Sequence, residues 1–410
     1  MKNRLKLSIY GLALMLTSVF IAGCDDYLDR EPLSDVTPKD YLWTESDLAA
    51  YAIDRYNTFP THSGWGPGIF SYDNHTDNQA TTNFSSRWEP GEWRVPQSGG
   101  GWNFGSIRQA NYFLETVLPR WKKGKLTGSM ENIEHYIGEM YFFRAYEYFQ
   151  KVKQFGDFPI IKKTLPDDME TLQEASKREP RNEVARFIIQ DLDSAIMLMN
   201  NNPPGGKNRL SELAAQTFKS RVALHEATWL EYHRGTAQVP GGPGWPGAEY
   251  HQDFSINLDS EIDYFLDEAM ESASAVADNV NMTPNAKDDG YDSSDNPYFS
   301  MFGSRDLSGF EEVLLWRDYD PDLGINHTVN HYINRNGANT GYTRSLVDNF
   351  LMANGLPIYA PGSGYAGDDS VHTVQIDRDN RLQIFMKTPG DLRYTDRTNA
   401  DGSPILEGYP

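Results

Sequence analysis

Cysteine is almost missing from this chain of 410 residues: Cys24 is the only one. No internal disulfide can form, and the core must hold the fold. Basic residues are also scarce, with 37 Lys and Arg against 58 Asp and Glu and a net charge of −21. The charge becomes −24 for a form beginning at Cys24, because residues 1–23 carry Lys2, Arg4 and Lys6 and no acid. So acidic a surface repels phosphate backbones and excludes nucleic acid as a partner. Catalytic signatures fail one after another. His225-Glu226 lies on a predicted helix, but position 229 is Trp, so the zinc-protease pattern is absent. There is no G-x-S-x-G elbow, and Cys24 stands at a processing site, which leaves no thiol nucleophile. Gly362-Ser363-Gly364-Tyr365-Ala366-Gly367 has the spacing of a dinucleotide loop, yet Pro361 precedes it and Asp368-Asp369 follow it. Without a helix N-terminus there is no phosphate cradle, and the stretch is predicted to be a flexible loop. Asp288, Asp289, Asp292 and Asp295 lack EF-hand spacing and read as a solvated acidic turn. No metal and no cofactor are expected. The 58 acidic residues offer too many pairs to single out a catalytic couple, and their default role is solvation.

What is present is a core's worth of apolar residues, 39% of the chain, with 13% aromatics, ample for one large or two ordinary domains. Long apolar runs are confined to residues 7–22. Preceded by Lys2, Arg4 and Lys6, this run has the charged and apolar regions of a secretory signal and is short for a bilayer span. Ile21-Ala22-Gly23-Cys24 at its end resembles a lipobox. Residues 1–23 are therefore expected to be removed and Cys24 to carry the lipid, with two or more acyl chains giving stable anchoring. Residues 25–40, polar and broken by Pro32 and Pro38, read as a tether.

Helical periodicity dominates the chain from Thr44 to Ala277. Thr44, with Glu45 and Asp47 behind it, is a predicted N-cap for a first helix with a stripe of Leu48, Tyr51, Ala52, Tyr56 and Phe59. Ile107, Ala110, Leu114 and Val117 mark a helix within residues 102–118. In residues 130–155, Ile133, Ile137, Met140, Tyr141, Tyr148 and Val152 predict a long amphipathic helix with one buried face. Gly156 stops it, and Pro159 turns the chain toward a short strand. Val184, Ile188, Leu192, Ala195 and Met199 predict another helix. Residues 210–232, entered through Ser211, and residues 258–277 predict two more. Small residues Ala214, Ala215 and Ala223 permit close helix approach. Helix pairs joined by short turns suggest a tetratricopeptide-like stack. Between them lie loop-rich stretches at residues 60–101 and 235–257. Residues 311–319, EEVLLWRDY, read as extended. Residues 341–357 read as a turn, a short helix and a Gly-Leu-Pro exit.

Several of these stretches, in this order and spacing, resemble the SusD/RagB family of nutrient-uptake lipoproteins. They are the CDDYLD opening, WNFGSIRQANYFLE, FFRAYEYFQKVKQFGDFPI, REPRNEVARFIIQDLD, RLSELAAQTFKSRVALHEAT, EEVLLWRDY, GYTRSLVDNFLMANGLP and DRDNRL. The resemblance implies a mainly α fold, a tetratricopeptide-like helical repeat stack with loop-rich decorations. It also implies a non-catalytic, lipid-anchored protein of the outer membrane that passes oligosaccharides to a SusC-like TonB-dependent transporter. Domains are expected at 1–23 (signal peptide), 24–233 (SusD-like N-terminal region with helical repeats) and 258–410 (RagB/SusD region). The family pattern continues beyond the equivalent of Pro410, including a helix of the R-Y-A-E-x-x-L kind, so a C-terminally incomplete stack with an exposed apolar face is expected. Two other classes remain open: a secreted glycoside hydrolase, and a protein-binding helical scaffold without sugar affinity.

A pyranose offers a C–H face and a rim of hydroxyls, so its site needs flat aromatic platforms beside planar polar groups. Asp73, Asn74, Asn83, Arg87, Trp88 and Trp93 supply that mixture in the first loop. The resemblance adds irregular segments after the repeats, where Tyr291 and Tyr298 lie. The competing expectation is that Trp88 and Trp93 merely pin the loop to the helices.

Overall fold

A computed structural model describes residues 41–406 apart from 63, 84, 93, 95–96, 98–99, 286–295, 337–338 and 392–397, and apart from the side chains of 87 and 334–336. The first helix, α1 (Glu45–Arg55), begins where its sequence says it should. Thr44 accepts from the Asp47 N–H while the Asp47 carboxylate accepts from the Thr44 N–H, a reciprocal capping box. Then come α2 (Gly105–Lys122), α3 (Met130–Phe155), the short α4 (Met169–Ala175), α5 (Arg181–Leu198), α6 (Glu212–Tyr232) and α7 (Leu258–Ala277). Ser129, Ser211 and Asn257 cap α3, α6 and α7 by accepting backbone N–H groups. Helix α3 ends at Gly156 with φ +69°, a left-handed position that a Cβ would strain.

Packing follows chain order. Helices α1 and α2 lie on α3, α3 on α5, α5 on α6, and α6 on α7. This is the mainly α repeat stack with loop-rich decorations that the sequence implied. Helix α3 differs from its expected single buried face. Between Ile133 and Phe149, residues on every side of it are buried, among them Tyr136, Met140, Phe142, Ala145 and Tyr148. With α1 and α2 on one flank and α5 on another, little of α3 faces solvent in this stretch, and its buried polar residues Glu139 and Arg144 meet partners from neighbouring elements. Each of its large apolar side chains contributes about 1.5–3 kcal/mol by leaving water.

The carboxylates correct the solvation expectation. Four are buried against arginines that arrive from other elements: Arg144 (α3) with Asp191 (α5) at 2.7 Å, Arg181 (α5) with Glu226 (α6) at 2.8 Å, Arg186 (α5) with Glu261 (α7) at 2.6 Å, and Arg209 with Glu139 (α3) at 2.5 Å. All four use two guanidinium nitrogens on the carboxylate. Such pairs fix register between helices more than they add net stability.

After α7 the chain forms short elements: α8 (Pro297–Gly303), α9 (Val329–Asn336), α10 (Arg344–Asn349), α11 (Val371–Gln375) and α12 (Asn380–Phe385). The strand expected after α3 is a single bridge, Phe158 with Glu179. Residues 311–319 make no strand. They are tied down where the Trp316 N–H donates to the Lys207 carbonyl (3.0 Å) and the Asn208 amide donates to the Trp316 carbonyl (3.1 Å). The glycine-rich stretch 362–367 is a loop with Gly362, Gly364 and Gly367 at positive φ. The one two-stranded sheet among the described residues joins β1 (Gln79–Thr81) to β2 (Thr340–Tyr342), antiparallel, with Gln79 opposite Tyr342. Among the described residues no helix is long and apolar enough to cross a membrane.

Candidate functional site

The β1–β2 ribbon lays the loop of residues 60–92 against the segment that follows the repeats. Its stitching is dense. The Gln79 side-chain amide donates to the Asn74 carbonyl oxygen (3.0 Å) and the Thr340 hydroxyl (2.8 Å), and the Thr340 hydroxyl meets Asn74 at 2.6 Å. The Thr82 N–H reaches the Asn339 carbonyl and the Thr343 N–H the Asn78 carbonyl, both at 3.0 Å. His75 and Asn339, at either side of this seam, hold φ of +67° and +51°, the strained positions that cluster at functional sites. Further along, the His62 N–H donates to the Tyr319 hydroxyl (2.9 Å), and the Gly64 carbonyl accepts from the Thr328 hydroxyl (2.7 Å).

This stitching leaves large rings outside. Trp65 is 58% exposed, Tyr72 64% and Trp88 67%. The Trp88 indole N–H donates to the His75 carbonyl at 2.9 Å, so the ring is held by its edge while most of its surface faces solvent. Trp65 stands edge-on to Tyr332 (5.5 Å, 79°) beside His331 (5.3 Å). Three exposed rings on one braced loop are an unusual surface, since large aromatics bury unless something else is to cover them.

The sequence-derived residues fall into distinct places. Asp73, Asn74, Asn83 and Trp88 share the loop. Asp73 and Asn83 are exposed, whereas the Asn74 side chain is spent on Gln79 and Thr340. Arg87 lies in a 3-10 turn, Ser86–Trp88. Tyr298 instead packs in a ring cluster with Phe302 (5.1 Å) and Phe385 (6.5 Å), joining α8 to α12. Cys24, Trp93 and Tyr291 lie outside the described residues. Sequence reasoning did not select His62, Tyr72, Tyr319, His327, His331 or Tyr332 for the site. Aromatic density in an irregular loop was the signal available for Tyr72; the others become neighbours only through folding.

Several cavities border the stack, and two of them adjoin its aromatic loops. The larger, about 550 Å3, is lined by Asp157, Arg178, Arg181, Trp229, Trp245 and Tyr250. Its two indoles are already engaged: Trp245 donates to Asp157 (2.7 Å) and lies against Gly247, where an added Cβ would come within 2.2 Å of the indole. Arg181 and His233 lie over Trp229 at 4.1 and 4.0 Å. Burial pushes the Asp157 carboxyl above its ordinary range. This cavity reads as the packed junction of α3, α5 and α6. The smaller, about 370 Å3, opens under the loop between Tyr56, Phe59, Trp316, Arg317, Asp318 and Ile325. Among the described residues no group of His, Cys, Asp and Glu is arranged to hold a metal.

Comparison with known proteins agrees with this architecture. Residues 26–224 match the SusD-like family model described as starch-binding and associating with the outer membrane. A curated relative, SusD-like protein P2 of Formosa agariphila, is 27% identical over 205 residues, 46% of this chain and 37% of that protein. A SusD-like protein of Bacteroides fragilis aligns with TM-score 0.53 at 19% identity, covering 86% of this chain and 62% of the other. A SusD-like carbohydrate-binding protein from the same species aligns at TM-score 0.52 and 14% identity, covering 85% and 60%. The chain thus spans 37% of the curated relative and about three fifths of these two solved structures. From the tether into α6 the chain is thus similar in sequence to the SusD-like family, and its helical fold is the one these SusD-like neighbours share.

Proposed function

We propose that this protein is a cell-surface, lipid-anchored glycan-binding protein that captures oligosaccharides or polysaccharides and delivers them to a SusC-like TonB-dependent transporter of the outer membrane. The observation that carries the reading is the set of exposed rings Trp65, Tyr72 and Trp88 on a loop braced by two-sided hydrogen bonding. A braced platform meets the C–H face of a sugar without a further ordering cost, and Asp73 and Asn83, exposed on the same loop, supply planar groups for hydroxyl pairs. In this reading the protein binds without turning over its ligand, Cys24 carries the anchor, and the transporter co-purifies from solubilised membranes.

The test is affinity gel electrophoresis in soluble starch, xylan and pectin. Wild-type protein should be retarded in at least one gel, Trp65→Ala and Trp88→Ala should migrate freely, and all three should share a helical circular dichroism spectrum. Retardation of both variants equal to wild type would overturn the site. Release of reducing sugar by the pure protein would favour a hydrolase.

A further inference from the structure

We propose that His62 and His327 form a proton-sensitive clasp that positions the aromatic loop, holding it against residues 319–332 while both imidazoles are neutral and releasing it when either ring is protonated. The two rings lie 4.8 Å apart, centroid to centroid, one from the loop and one from the far side of the seam. Each commits its Nδ1 as an acceptor: His62 to the Ile69 N–H (3.2 Å) and His327 to the Val329 N–H (3.3 Å). An accepting Nδ1 requires the tautomer with its proton on Nε2, so both rings are neutral in this arrangement. Protonation would place a hydrogen on Nδ1, where a backbone donor already points. The backbone bond must break, and a cation then stands beside the second imidazole.

The surroundings offer little to stabilise that cation. Tyr319 packs edge-on to His327 (4.5 Å, 87°), with its hydroxyl engaged by the His62 N–H. The Arg317 guanidinium lies over the Tyr319 ring at 5.6 Å and adds like charge. The Asp320 carboxylate is spent on the N–H groups of Asp322 and Leu323, and Asp318 lines the neighbouring cavity beside Thr61. On its own side His62 faces Gly68, whose φ of +56° brings the backbone so close that an added Cβ would be 2.2 Å from Nδ1. Among the described residues no carboxylate is bonded to either ring. Burial, and then the neighbouring His327, push the His62 imidazole below its ordinary value. A group held low in this way stabilises the closed loop above the ordinary histidine range and withdraws that stability as pH falls through it. Because the clasp joins the two halves of the proposed ligand face, acid would lower glycan affinity; that consequence rests on the glycan-binding reading, whereas the clasp itself does not.

Hydrogen–deuterium exchange of the unliganded protein at about pH 7.5 and about pH 5, either side of the histidine range and normalised for intrinsic rate, decides it. In the wild type, protection of peptides spanning 62–71 and 327–333 should fall at acid pH by roughly fivefold or more, the lower end of typical site couplings. In His62→Asn with His327→Asn the side-chain oxygen can take the same backbone N–H but cannot be protonated. That variant should keep its neutral-pH protection at both values, as would be seen in part for either single variant should the double one fail to fold. Equal wild-type protection at both pH values, or equal loss in the variants, would overturn the clasp. Acid opening without retardation in any polysaccharide gel would sustain the clasp and count against the glycan reading alone.

Discussion

Glu139 is fully buried in α3, and its replacement by Gln is a sharp probe of how the stack is tied to the loop. One of its oxygens accepts from the Tyr56 hydroxyl (2.6 Å) and Arg209 Nε (2.9 Å), the other from Arg209 Nη2 (2.5 Å), with His135 Nε2 at 3.5 Å. The Tyr56 hydroxyl in turn accepts the Leu210 N–H at 2.7 Å. Glu139 therefore joins the end of α1, the middle of α3 and the approach to α6, and does so through Tyr56, which also lines the smaller cavity. Burial alone would raise its carboxyl, but the bonds from His135, Arg209 and Tyr56 outweigh burial and hold it below the ordinary range. Glu139→Gln keeps the shape and strips the charge, leaving the Arg209 guanidinium buried without a counter-ion. Breaking a buried pair from one side costs about 3–5 kcal/mol, a large share of a net stability of roughly 5–15 kcal/mol. At about 2.1 cal/mol/K of unfolding entropy per residue, a chain of this size should lose about 3–6 °C in Tm. The pH dependence follows from the lowered carboxyl. Its contribution is complete above the unfolded glutamate value of about 4.3 and disappears as pH falls through the lower folded value. Urea unfolding should therefore show a wide gap between wild type and variant at neutral pH that narrows in acid below that point. A gap under about 1 kcal/mol, or one unchanged from neutral pH to the acid limit, would refute the claim that the bonds outweigh burial.

Gly68→Ala should force the His62 ring aside and strain a left-handed backbone by about 1–2 kcal/mol; faster hydrogen exchange of residues 62–71 with little change in global Tm is expected, and unchanged exchange would contradict it. With two thirds of its surface exposed, Trp88 buries about a third of ~250 Å2, so Trp88→Ala should cost at most ~2 kcal/mol of local stability at ~25 cal/mol/Å2. Trp88→Phe keeps a flat ring and gives up the bond to the His75 carbonyl, so its glycan retardation should fall between wild type and Trp88→Ala; retardation no better than the alanine variant would put the weight on the indole N–H. Cys24→Ala should yield unprocessed or soluble protein, and unchanged membrane fractionation with unchanged acyl labelling would sink the anchor proposal.

Helices were legible because their causes are local. Thr44, Ser129, Ser211 and Asn257 each cap a helix from within three residues, and the three-to-four residue spacing that buries Ile133, Ile137 and Met140 is visible in the chain itself. Residue chemistry likewise singled out the first loop as a candidate, and in the fold Trp88, Asp73 and Asn83 of that loop are exposed. What only the tertiary structure decided lies in pairings between distant residues. Strands of three residues have no readable period, and β1 finds β2 through Gln79 and Thr340, 261 positions apart. The same distance hid the companionship of His62 with His327, and of Trp65 with Tyr332. Glu139, Asp191, Glu226 and Glu261 read as solvated acids because the arginines that neutralise them come from other helices or loops. Composition and periodicity describe what a segment offers; which partner accepts the offer depends on how the stack closes, and that closure is where a polar residue becomes core and an aromatic one remains on the surface.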